Sequence, residues 1–381
     1  MKKKRPALRF SGFDNDWEQR KLNELVTYHS SNLTASDARD VGKFDLYDAN
    51  SVIGKTNIEP MNSEYITIIK DGAGVGRIRT MPQNTMFIGT MGGLQVNKSD
   101  INFIFSLLTR FDLGKEYSGS TIPHIYFKDY GNNDYYVPAK DEQQAIGQYF
   151  TNLDHLITLH QCKCKKLICI KKSMLENMFP QKDEKIPRIR FSGFTDAWEQ
   201  RKLGDIYTER NERGNEGLGI LSVSIHHGVS NGELDMGTLG KQVRRSEDKS
   251  LYKHVYSGDL VFNMMRAWQG AIGVVKSEGM VSPAYVSAVP DDSIFPLFMD
   301  YCLRRESIIN QINNLSYGVT DFRKRLYWEP FTRVSIKIPS VDEQRKIAEI
   351  LCQLDHLITL HQRELEKLQN IKKAMLEKMF V

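Results

Sequence analysis

The chain has 381 residues, 40% of them hydrophobic, which is enough to bury real cores in two or three domains. No apolar run approaches the length of a membrane span, and the basic N-terminus MKKKRPALRF lacks the apolar stretch of a secretory signal, so a cytoplasmic location is expected. Five Cys make no secreted disulfide framework, and a formal charge of +5 with pI ≈ 8.7 permits an acidic partner such as DNA without demanding one.

The first recognisable segment, residues 9–22 (RFSGFDNDWEQRKL), returns at residues 190–203 (RFSGFTDAWEQRKL), with 11 of 14 positions identical. After each copy comes an insert with no comparable match to the other: residues 23–140 (118 residues) and 204–341 (138 residues). The first insert has strand character at residues 65–70 (YITIIK), 86–89 (MFIG) and 134–137, and helical character at 102–109. Two motifs in it imitate phosphate-binding loops and fail. DGAGVG at 71–76 should open a helix, but IRTMPQ with Pro82 follows, so it reads as a turn between strands. Gly54-Lys55-Thr56 lacks the first glycine of a P-loop, since Ala49 stands there.

Pro138 precedes Asp141-Glu142-Gln143, an acidic first turn that suits a helix N-terminus. Residues 141–179 then run as one long amphipathic segment, repeated at 342–380 with 23 of 39 positions identical. The second copy sets Ile347, Leu351, Leu354, Ile358, His361, Leu365, Leu368, Lys372, Met375 and Met379 at alternating steps of four and three. The first places Ile146, Phe150, Leu153, Ile157, His160, Cys164, Leu167, Lys171, Met174 and Met178 on the same grid. Such an a/d seam over roughly 58 Å of helix cannot hide its stripe alone, and the two near-identical helices are expected to pack together as an antiparallel coiled coil. His160, His361, Lys171 and Lys372 read as polar interruptions that fix register. Cys162, Cys164 and Cys169 do not form a metal site, because the second copy carries Arg363, Leu365 and Asn370 at those positions.

Phe179-Pro180 ends the first helix, and the polar stretch 181–188 reads as a linker. The second insert echoes the first in a glycine-bearing turn before a strand (QGAIGVV, 269–275) and a late Gly-Val-Thr at 318–320, against Gly-Ser-Thr at 119–121. It also has a helical stretch at 296–305 and a strand at 334–338 (VSIKI). Two copies of one α/β fold with diverged surfaces are expected. The fold class is therefore α+β: two α/β domains separated by two long helices packed as an antiparallel coiled coil, with a pseudo-twofold internal repeat.

WEQRKL (17–22 and 198–203), Pro-x-x-Asp-Glu-Gln followed by Leu-Asp-His-Leu-Ile in both copies, SGDLVFNMMRAWQGAIGVV (257–275) and YGVTDFRKRLYW (317–328) together resemble the specificity subunit of type I restriction–modification systems. The resemblance covers essentially the whole chain. It implies residues 1–140 as a first target-recognition domain with its frame, 141–180 as a central helix, 181–203 as linker and second frame, 204–341 as a second target-recognition domain, and 342–381 as a C-terminal helix. It further implies a non-catalytic DNA-binding subunit whose heads each read half of a bipartite site while the helices set the spacer. Two methyltransferase subunits would dock on the frame and methylate adenine with S-adenosylmethionine. Restriction subunits would add ATP-dependent cleavage, with no cofactor and no metal held by this chain. The shorter first insert departs from strict duplication.

Specificity for DNA comes from base edges, which Arg reads on guanine and Gln on adenine. The candidate readers are Lys70, Arg77, Arg79, His124 and Lys128 in the first head. In the second they are Arg244, Arg245, Arg266, Gln269, Arg323, Lys324 and Arg325. The rival functions are a DNA methyltransferase acting alone and a coiled-coil protein-interaction adaptor. The chain contains no Pro-Pro, and with it none of the Asn-Pro-Pro or Asp-Pro-Pro motifs of adenine methyltransferases.

Overall fold

A computed structural model describes residues 5–119, 122–215, 217–225, 228–231, 250–318 and 324–381. The chain divides into two compact units, Met1–Lys163 with His361–Val381, and Cys164–Leu360. The division falls inside both long helices, so each unit owns one half of each helix.

In the first unit, β1 (Glu18–Lys21) pairs antiparallel with β9 (Asp134–Val137), Glu18 opposite Val137. This two-stranded frame brings the repeated WEQRK segment against the start of helix α2 (Lys140–Asn177). Arg9 then forks onto Glu142, Nε to Oε1 and Nη2 to Oε2 both at 2.6 Å, and the Glu142 side chain is 1% exposed. The neighbouring Gln143 is also buried. Its amide donates to the Pro138 carbonyl (2.9 Å), and its oxygen accepts from the Asp100 N–H (3.0 Å), satisfying both ends. Asp100 in turn caps α1 (Ile101–Phe111) by accepting from the Phe103 N–H. The repeated Arg, Glu and Gln are thus a buried polar lock. Removing one partner of such a buried pair costs about 3–5 kcal/mol.

The head of this unit is a four-stranded antiparallel sheet, β2 (Val26–Ser30), β8 (Met91–Val96), β5 (Tyr65–Ile69) and β6 (Ile78–Met81), in that spatial order. A three-stranded sheet lies beside it in the order β4 (Val52–Thr56), β3 (Phe44–Tyr47), β7 (Thr85–Phe87). Strand β5 is buried at all five positions, as its β-branched and aromatic composition requires. Gly54-Lys55-Thr56 is the end of β4, an edge strand rather than a phosphate loop. The core gathers Trp17, Phe103, Phe150 and, from the far end of the chain, Leu376, Met379 and Phe380. Trp17, Phe103 and Phe150 all meet the Phe380 ring at centroid distances of 5.5–6.4 Å.

The second unit repeats the construction. β10 (Glu199–Lys202) pairs with β19 (Ser335–Ile338), and Arg190 forks onto Glu343 at 2.8 Å twice. These bonds hold the Arg190 guanidinium above its ordinary pKa. Gln344, at 0% exposure, bonds the Pro339 and Ser293 carbonyls and the Phe295 N–H. The head sheet runs β11 (Tyr207–Arg210), β18 (Tyr285–Pro290), β15 (Leu260–Asn263), β16 (Ile272–Val274), the same order as in the first unit. Its accessory strands differ: two antiparallel pairs, β12 (Leu221–Ser224) with β13 (Gly228–Asn231) and β14 (Lys253–Val255) with β17 (Gly279–Val281). Helices α3 (Pro296–Leu303) and α4 (Glu306–Leu315) cover the sheet. Phe179 packs on Trp198 and Phe298, the counterpart of Phe380 on Trp17 and Phe103.

Helix α5 (Val341–Met379) is the second long helix. Within each unit the two long helices run antiparallel, with rising numbers on one meeting falling numbers on the other. In the first unit Lys372 reaches Asp154 (2.5 Å) and His361 meets His160, Nδ1 to Nδ1 at 3.1 Å. In the second unit Lys171 reaches Asp355 (2.5 Å), the same pair with the copies exchanged. The Lys and His residues on the heptad grid are therefore register-fixing polar contacts across the seam.

Candidate nucleic-acid interface

In the first head the tip of the β5–β6 hairpin is the DGAGVG stretch. Gly76 lies at φ 82°, and a Cβ there would fall 2.1 Å from the Gly114 nitrogen, so only glycine fits. Ile69 and Gly76–Arg77 close the loop with backbone bonds of 2.8–3.0 Å, making it a turn between strands. Arg77, just before β6, and Arg79, within it, are two residues apart and share a face. Both side chains are exposed but tethered. Arg77 Nη2 donates to the Ala49 carbonyl (2.6 Å) and Asn50 Oδ1 (2.9 Å); Arg79 Nη1 donates to the Asn50 carbonyl (3.2 Å), and the Arg79 guanidinium carbon lies 5.4 Å from the Tyr47 ring centroid. The Asp48 carboxylate shapes that turn by accepting from the Asn50 and Ser51 N–H groups, both at 2.7 Å. The result is a shallow cleft of about 300 Å³ rimmed by two guanidiniums.

A second loop is stitched to this tip. The Lys70 carbonyl accepts from the Ile125 N–H (2.9 Å), and His124 Nδ1 pairs with Asp71 Oδ1 (2.7 Å). Ser118 and His124 exchange two backbone bonds of 2.8 Å, closing the loop on itself. His124 stacks on Tyr126 at 6.3 Å, and Lys128 Nζ lies 5.4 Å from the same ring. All five first-head candidates thus gather around one hairpin and the loop bonded to it.

The second head has the same scaffold with other side chains. The β15–β16 connection contains a single 3-10 turn, Ala267–Gln269, ended by Gly270 at φ 102°. Arg266 and Gln269 are exposed, and the Trp268 indole N–H donates to the Met265 carbonyl (3.0 Å), fixing the ring between them. The Leu326 N–H donates to the Met264 carbonyl (2.9 Å), the equivalent of Ile125 to Lys70. Tyr317 and Arg325 exchange backbone bonds of 3.1 and 3.0 Å, the equivalent of Ser118 and His124. Lys324 Nζ lies 5.6 Å from the Trp268 ring and donates to Asn313 Oδ1. The bonded segments bring Lys324 and Arg325 to the turn that carries Arg266 and Gln269, while Gln269 also lines a cleft with Asp300, Arg304 and Ile309; Arg244, Arg245 and Arg323 lie outside the described residues.

Charge alone did not single out Tyr47 and Asn50, which hold Arg77 and Arg79, or Tyr126, Tyr317 and Tyr327, which stand 49%, 59% and 40% exposed beside the cations. One signal could have found the last group. Carrying the 201-residue offset of the helices back past Pro138 and Pro339 aligns Tyr126 with Tyr327 and His124 with Arg325.

Comparison with known proteins places these features in context. The family described as "Type I restriction modification DNA specificity domain" matches residues 14–168 and 291–370. Those spans contain every first-head candidate and Lys324 and Arg325, but not Arg266 or Gln269. The type I restriction enzyme MjaVIII specificity subunit of Methanocaldococcus jannaschii is 24% identical over 359 residues, covering 86% of this chain and 81% of that protein. The crystal structure of a type I restriction–modification S subunit from M. genitalium matches the fold with a TM-score of 0.68 at 16% identity, covering 99% of each chain.

Proposed function

The chain belongs to the type I restriction–modification DNA specificity family, a DNA-recognising subunit, and from that premise we propose that each of its heads reads one half of a bipartite site. The observation that carries this reading is the pair of four-stranded sheets with identical strand order whose tip loops carry different side chains. One scaffold holding two sets of base-reading groups suits two different half-sites. The paired helices then set the spacer between them. Half-sites on one face of B-DNA recur about every 34 Å, and a seam locked by Asp154–Lys372 and Asp355–Lys171 resists the slippage that would blur such a distance.

The chain works without catalytic groups of its own and directs adenine methylation and restriction by partner subunits in the cytoplasm. S-adenosylmethionine and ATP are used by those partners. Among the described residues no helix is long and apolar enough to cross a membrane. Two methyltransferase subunits fit the duplication, since Leu156 and Leu159 on one helix and Leu357 and Leu360 on the other stand 40–45% exposed at equivalent positions. Exposed leucines one turn apart suit a partner's helical surface.

The test is to insert one turn, about four residues, at equivalent points of both helices and map methylated adenines in cells that also carry the methyltransferase. The expected result is the same two half-sites at a new spacing. Altered half-sites would overturn the division of labour between helices and heads.

A further inference from the structure

What differs between two heads can read sequence; what is the same must meet something common to both half-sites. Resting on the reading above, this criterion separates the candidate cations into two groups. The hairpin tips differ outright: Arg77 and Arg79 beside Asn50 in one, Arg266, Trp268 and Gln269 in the other. The base of the bridged loop is alike in the two heads, although the second loop is two residues longer between its paired residues. In both heads it closes with a reciprocal pair of backbone bonds, is tied by one N–H to the residue after the central strand, and presents a tyrosine at the equivalent position, Tyr126 or Tyr327. Each tyrosine leans on one neighbouring ring, His124 at 6.3 Å and 19° or Tyr317 at 5.4 Å and 31°, which orients its hydroxyl edge. A cation stands within two residues of each tyrosine but at different offsets: Lys128, whose Nζ lies 5.4 Å from the Tyr126 ring centroid, and Arg325, which takes the place of His124 while Glu329 takes the place of Lys128. Asp71 already pairs with His124, leaving Lys128 as the cation for an external anion there.

The chemistry common to any two DNA half-sites is the sugar–phosphate backbone. We infer that Tyr126 with Lys128, and Tyr327 with Arg325, form matched phosphate clamps that position each head on the duplex, while the divergent hairpin tips do the base reading. A tyrosine hydroxyl donates to a phosphate oxygen and the adjacent cation displaces a counterion, so both contacts are indifferent to sequence. Arg325 and Lys128 thereby move from base readers to positioning residues.

The experiment uses the complex of this chain with its methyltransferase subunits, and duplexes carrying either the mapped methylation site or a scrambled sequence of the same composition. Affinities are measured across a salt series for Lys128→Gln, Arg325→Gln, Tyr126→Phe and Tyr327→Phe. The expected result for each cation variant is a salt slope smaller by about one, with equal weakening on both duplexes and an unchanged methylated sequence. The Tyr→Phe variants, which keep the ring and its packing, should weaken both duplexes by a smaller common factor. A changed cognate-to-scrambled ratio would show base reading and overturn the clamp. So would an unchanged salt slope on a retained two-part methylation pattern, an outcome that leaves the bipartite reading intact. Loss of the methyltransferase on purification would assign the loop to a protein partner and equally overturn it.

Discussion

The two frames and the two hairpin tips descend from the same duplication, yet they have kept different things. In the frames the side chains are fixed: Arg9–Glu142 and Arg190–Glu343 are the same bidentate pair, with both carboxylates 1% exposed and the following glutamines bonded to equivalent prolines. In the tips only the flanking strands are kept, and both the turn and its side chains differ. A glycine-rich turn followed by Arg77 and Arg79 occupies in one head the place that a single 3-10 turn with Trp268 and Gln269 occupies in the other. The contrast follows from burial. A buried charge pair cannot change one partner at a time without stranding the other, whereas an exposed tip tolerates any residue its turn can hold.

The largest effect that can break this comparison lies where the helix ends enter the cores. Phe380→Ala should cost about 3–5 kcal/mol and open the first core, read as loss of amide protection around Trp17 and Phe103. Phe179→Ala should do the same around Trp198 and Phe298. Equal loss in both cores from either single variant would contradict the assignment of each helix end to its own unit. A smaller effect is expected at a tip. Gln269→Ala should relax discrimination at one base pair by about 1–3 kcal/mol, seen as a degenerate position in one half of the methylated sequence. Degeneracy in both halves would show that the tips do not act separately. The smallest effect belongs to the seam. Lys372→Ala should lower stability by under about 1 kcal/mol, because both partners of the Asp154 pair are partly exposed. Its value lies in register, and a matched double variant with Lys171→Ala should broaden the accepted spacing.

The helices were legible in the sequence because burying one stripe of a helix leaves a period in the residues that bury it, and the grids from Ile146 and Ile347 lie on α2 and α5 except for Met178, just past the end of α2. The turn at DGAGVG was legible for a similar reason: no helical stripe followed it. The role of the RFSGF arginines was not, since Arg9 and Glu142 are 133 positions apart and only the fold brings them together. The equivalence of the two heads was legible in their shared glycine turn and late Gly-Ser-Thr or Gly-Val-Thr, but the matching of individual strands was not. A strand needs only β-branched or apolar residues on its buried faces, and β5 and β15 meet that need with unrelated sequences, YITII and LVFN. Charged candidates could be picked by type, but their tethers, Tyr47, Asn50 and Asn313, are polar residues with nothing in their local sequence to mark them.

The most direct test of the central claim is to exchange residues 204–341 for the corresponding insert of another specificity subunit and map methylated adenines in cells carrying the methyltransferase. A fixed frame with independent heads predicts that one half-site changes while the other half-site and the spacer stay as they were. A site changed in both halves, or unchanged in both, would contradict it.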